Sequence, residues 1–188
     1  MHWANSGTRY GMITKFFHWA VFLLFVNQYV VARLMLTTPI GATSLGYTQG
    51  QLYNWHKSIG LILLALALLR YTWRRTTRLP DWAATLSAGE KQLIHWLERV
   101  LYFCMIAMPL SGYFFVMAGG YGVNFFGRWQ LPNTIGEHEG LALVAEWTHI
   151  VLAVVIVVAV TLHLGMGIRQ AIVHKRGYLR RMLPFTPR

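Results

Sequence analysis

The stretch "WTHIVLAVVIVVAVTLHLG", residues 147–165, is an apolar run that nevertheless holds two histidines. A helix of roughly 20 such residues is long enough to cross the hydrocarbon core of a bilayer. Inside that core every backbone N–H and C=O must be satisfied within the segment, so a lone apolar run of this length is constrained to be a helix. Ionisable side chains at such depth are costly and mark functional positions. Comparable runs occur at 16–36, 52–73 and 100–118, and the last extends over 147–168. The chain is 55% hydrophobic and only 12% charged, against about 25% charged residues in soluble domains. The expected fold is therefore all-α: an integral membrane four-helix bundle forming a single transmembrane domain over residues 1–188. The N-terminal run is too long for a cleavable signal peptide and lacks a small-residue cleavage site, so it reads as the first span. Pro109, inside the third run, is expected to kink its helix.

The basic residues fall into three blocks. Arg9 and Lys15 precede the first span. Arg70, Arg74, Arg75, Arg78, Lys91 and Arg99 lie between the second and third, and Arg169, Lys175, Arg176, Arg180, Arg181 and Arg188 follow the fourth. The opposite side holds only Arg33, Lys57 and Arg128, beside Glu137, Glu139 and Glu146. By the positive-inside bias both termini are expected in the cytoplasm. The net charge of +11 does not call for nucleic acid, because the cations flank apolar runs; orientation and anionic lipid account for them. Cys104 is the only cysteine, which excludes an intramolecular disulfide and a thiolate metal site and leaves a buried, inert thiol.

Of eight histidines, His18, His56, His149 and His163 lie in or at the edge of spans. A lone membrane histidine usually hydrogen-bonds a neighbouring helix. Four at matched depths suggest more. Fourteen residues of helix rise ~21 Å and return to within ~40° of the same face. His149 and His163 thus face one side of the bundle from opposite ends. The first span enters from the cytoplasm and the second from outside, so His18 is level with His163 on the inner side and His56 with His149 on the outer side. Zinc takes three or four ligands, often with thiolate or carboxylate; each level offers two histidines. A haem iron needs only axial ligands and its porphyrin fills an apolar slot. Two stacked haems therefore suit the pattern better than two metal ions, with His18 and His163 on the inner iron and His56 and His149 on the outer one. No C-x-x-C-H motif is present, so attachment would be non-covalent.

Gly60, one turn after His56, and Gly165 and Gly167, after His163, read either as room for a flat ring or as close helix packing. Arg70 follows His56 by fourteen residues and Arg33 follows His18 by fifteen. Each reads either as a propionate partner through charged hydrogen bonds or as a side chain snorkelling to the interface. His95 reads either as part of a quinone site or as an interfacial histidine.

"KFFHWAVFLLF" at 15–25, "NWHKSIGLILLALALLR" at 54–70, "RVLYFCMIAMPLSG" at 99–112, the 147–165 stretch and "LRRMLP" at 179–184 resemble the prokaryotic cytochrome b561 family. The resemblance covers all four spans and the tail, and finds no counterpart for residues 119–146. It implies two b-type haems held by His18, His56, His149 and His163, with Arg70 in the family's arginine position. It also implies residence in the bacterial inner (plasma) membrane and electron exchange with the quinone pool. Some members oxidise superoxide and reduce ubiquinone, which makes an oxidoreductase of this kind the leading expectation. The alternative is a haem b relay subunit for a partner dehydrogenase or hydrogenase; the chain lacks the extra span or docking segment such a subunit commonly has. The outer segments carry three cations and three acids and so no net field for an anion, although Lys57 and Arg128 could form a local funnel.

Overall fold

A computed structural model describes residues 2–82, 86–174 and 181–183. Four long helices dominate: α1 (Met12–Thr37), α2 (Gln49–Thr76), α3 (Ala88–Ala118) and α4 (Glu139–His174). All four are long and apolar enough to cross a membrane. The only strands among the described residues form two short antiparallel hairpins. β1 (Thr43–Ser44) pairs with β2 (Tyr47–Thr48) between α1 and α2, and β3 (Asn124–Phe125) pairs with β4 (Trp129–Gln130) between α3 and α4.

The helices outrun the apolar stretches that announce them. α2 and α3 start at capping boxes: Thr48 and Gln51 exchange side-chain and backbone hydrogen bonds, as do Ser87 and Glu90. Such caps satisfy N–H groups that have no partner inside the helix. α3 therefore begins at Ala88 and carries the polar turn around Lys91, His95 and Glu98 before its apolar part. It runs on through Pro109 to Ala118. α4 begins at Glu139, with an acid in its first turn, where the helix dipole favours one.

Extensive packing joins α1 to α2, α2 to α3 and α3 to α4. One buried cluster gathers Val21, Ile59, Leu63, Ala67 and Met105; another gathers Cys104, Leu152 and Ile156, and Phe25 packs against both. Cys104 is fully buried. The outward side chains of α4, including Val151, Val154 and Val158, are exposed. In a membrane they would face lipid, where apolar surface carries no penalty.

The chain ends meet at one end of the bundle. The Arg181 guanidinium donates to the Thr8 carbonyl, Trp19 Nε1 to Met182 and Lys15 Nζ to Leu183. The Asp81 N–H donates to Gly7, so the α2–α3 link joins them there. Arg74 holds Glu98 through two hydrogen bonds of 2.6 and 3.2 Å, and Glu90 receives Arg169 and Gln170. Lys175, Arg176, Arg180 and Arg188, and half of the "LRRMLP" motif, lie outside the described residues.

At the other end, residues 119–138 fold over the start of α2. Phe126 donates its N–H to Ser58 Oγ (2.7 Å), and Lys57 Nζ donates to the Gly122 carbonyl (2.9 Å). The ring of Phe126 also meets Trp55 at 5.2 Å. The β3–β4 turn places Phe126 and Gly127 at positive φ, so one non-glycine residue adopts the left-handed region and is held there by contacts to α2.

Candidate functional site

α4 brings a histidine to each of two other helices. His163 meets His18 of α1 with ring centroids 6.1 Å apart and planes at 47°. His149 meets His56 of α2 at 6.2 Å and 78°. The two levels are ~21 Å apart along α4, by the rise of fourteen helical residues. The Phe25-centred side chains fill the space between them, and Tyr29 of α1 donates its hydroxyl to the Ala153 carbonyl of α4.

These separations suit one specific arrangement. Metal–imidazole bonds are about 2.0 Å, and a ring centroid lies ~1.1 Å behind its nitrogen, so two imidazoles on opposite sides of one ion have centroids ~6 Å apart. Among the described residues no three His, Cys, Asp or Glu side chains converge. Each pair can thus supply two ligands and no more, which fits an iron whose other four positions are filled by a porphyrin.

The imidazoles differ in what fixes them. His149 Nδ1 lies 2.9 Å from the Met108 carbonyl and 3.3 Å from Ser111 Oγ, and the Ser111 hydroxyl donates to the same carbonyl (2.8 Å). A carbonyl can only accept, so Nδ1 carries the proton and Nε2 keeps its lone pair for a metal. Gly112 makes this approach possible: a Cβ there would lie 2.9 Å from His149 Cε1 and 3.0 Å from Nδ1. His18 Nδ1 lies 3.4 Å from an Arg70 nitrogen, and the Arg70 guanidinium also sits 5.5 Å above the Tyr102 ring. Arginine can only donate. An imidazole ligating through Nε2 keeps its proton on Nδ1, so ligation and the Arg70 contact exclude one another. Metal binding at His18 would release Arg70 for an anionic partner.

The family model for prokaryotic cytochrome b561 matches residues 9–185. This chain belongs to the prokaryotic cytochrome b561 family. Cytochrome b561 homolog 2 of Escherichia coli (strain K12) is 27% identical over 186 residues, covering 97% of this chain and 95% of that protein. The protein is accordingly a multi-pass membrane haem protein of electron transfer.

Other candidate positions of this b561 protein are placed less centrally. Arg33 is exposed on the last turns of α1. His95 belongs to neither pair: it lines an open groove with Gln92, Trp96 and Arg99 and packs edge-on against Trp82 at 5.0 Å. Its neighbour Leu97, on the opposite side of α3, is the buried one. A Cβ on Gly60 would meet Gln28 Nε2 at 3.4 Å, and one on Gly165 would meet nothing within 4 Å. The residues in direct contact with the histidines that spacing does not reveal are Met108, Ser111 and Gly112, all close to the proline of α3, and Gln28 of α1. A polar residue in an apolar run, as in "FVNQYVV", is the one signal that points to any of them.

Proposed function

We propose that this b561 protein is a di-haem b-type cytochrome of the bacterial inner membrane that oxidises superoxide and reduces ubiquinone. His18 and His163 would hold the haem at the inner, cytoplasmic level, and His56 and His149 the one at the outer level. The observation that carries the two-haem part of the reading is the pair of ring separations, 6.1 and 6.2 Å, at the two ends of one helix; the superoxide and ubiquinone part rests on the resemblance to the family. Held by these residues, haem b would supply a one-electron carrier.

The chain's own side chains hold and shield the group. The Met108 carbonyl sets the His149 tautomer, and the buried apolar clusters keep water from the space between the levels. Arg70, and Arg33 at the other end, are the proposed partners for propionates. Lys57 and Arg128 supply cations near the outer pair. The overall reaction balances as two superoxide anions, one ubiquinone and two protons giving two molecules of oxygen and one ubiquinol. Outer-sphere transfer needs no acid or base at iron, so the protons are required only at the quinone.

Rapid mixing of the oxidised protein with generated superoxide tests this reading. The expected result is fast haem reduction that superoxide dismutase abolishes, with steady ubiquinol formation. Reduction that requires a partner dehydrogenase, with none from superoxide, would instead identify a relay subunit. Orientation has its own test. Reporters placed after Arg188 or near Ser87 should read cytoplasmic, and those near Gly46 or Pro132 external. An external signal at Ser87 would invert the assignment of inner and outer haem.

A further inference from the structure

His149 and His18 each have a polar neighbour at Nδ1; His56 does not. Its Nδ1 is fully buried and has no hydrogen-bond partner. A histidine that ligates through Nε2 carries a proton on Nδ1, and this N–H is almost always given to a carbonyl, a carboxylate or a water. A buried N–H left without an acceptor is costly.

One buried, unmatched acceptor belongs to a residue already fastened to His56. Gln28 of α1 is 9% exposed. Its amide nitrogen donates to the His56 backbone carbonyl at 2.9 Å, while its side-chain oxygen is itself buried and unpartnered. The two orphaned atoms are complementary in kind and sit on residues held together by that bond. Gly60 keeps the space beside the amide open, since even a bare Cβ there would come within 3.4 Å of Gln28 Nε2.

We infer that Gln28 is the positioning residue of His56: its side-chain oxygen, directly or over one water, accepts the Nδ1 proton of the ligating imidazole and sets the electron donation of that ligand. The inference rests on the proposed ligand role of His56. It makes the two sites unlike. His149 answers to a backbone carbonyl that no substitution removes, whereas His56 answers to a side chain that can be changed.

A hydrogen bond at Nδ1 makes the imidazole a stronger donor and favours the oxidised iron. Redox titration of the purified full-length protein, with the low-spin electron paramagnetic resonance signals recorded alongside, reads the effect. In Gln28→Leu one of the two haems should become about tenfold easier to reduce, a rise of about 59 mV for one electron, with its resonance signal moved and the other haem unchanged. Gln28→Glu, which keeps an acceptor and adds charge, should move the same haem the opposite way. Wild type with two haems and variants with unshifted potentials would overturn the inference alone. Loss of the same haem from both variants would also overturn it, by reducing Gln28 to packing. Fewer than two haems in the wild type would instead defeat the two-haem reading on which it stands. Retention of the haem in Gln28→Glu but not in Gln28→Leu supports the acceptor role.

Discussion

On the proposed two-haem reading, replacing His163 by alanine should leave the purified protein with one haem in place of two, and His149→Ala should remove the other. Each substitution deletes one of only two side chains that can reach its iron, because no third His, Cys, Asp or Glu converges on either pair among the described residues. The pairs sit ~21 Å apart along α4, and the packed centre around Phe25 and Cys104 lies between them. Loss at one level should therefore leave the other intact. The check is the haem-to-protein ratio together with the low-spin absorption spectrum. Two low-spin haems retained in either variant would dismiss the pairing.

A comparable loss should follow from a residue that is no ligand. Gly112→Leu should empty the outer site while the inner one stays filled. A Cβ at position 112 already overlaps the His149 ring, at 2.9 Å from Cε1, and a leucine adds three further carbons. Overpacking of this kind costs about 1–3 kcal/mol where the surroundings can shift. Here the group that must shift is the imidazole, and moving it breaks the 2.9 Å contact to Met108. The protein should still insert and hold a single haem with the spectrum of the His18–His163 site. Gly140→Leu, on the exposed first turn of α4, is the matched control, since a Cβ there would meet nothing within 4 Å; it should keep both haems. Equal haem content in Gly112→Leu and wild type would show that His149 does not bind in the rotamer described.

The contrast between these residues marks what a sequence of this kind discloses. Which histidines face one another follows from helical period and antiparallel connection alone: fourteen residues on α4, with His18 and His56 near opposite faces of the membrane. Arg70 reaches His18 by the same arithmetic. Gly112, Met108 and Gln28 do not follow from it. Their roles depend on how far one helix slides and turns against the next, a register that no spacing within a single helix encodes. Helix ends are hidden for another reason. Hydropathy reports contact with lipid, and α3 and α4 continue into water at Ala88 and Glu139 on the strength of caps and charges. The segment 122–130 is anchored to α2 by two of its backbone groups, through Ser58 and Lys57; neither residue announces that partner.

α4 is the last of the four helices to be made, yet it carries one histidine of each pair. While the ribosome is still synthesising α3, the bilayer already holds His18 and His56, but each lacks its counterpart. Neither histidine pair exists in the nascent chain, at either depth. Both come into being in one event, the insertion of a single late segment. A chain that terminates prematurely in the loop after Ala118 would thus be devoid of either pair, and on the proposed ligand assignment haem acquisition would wait for α4.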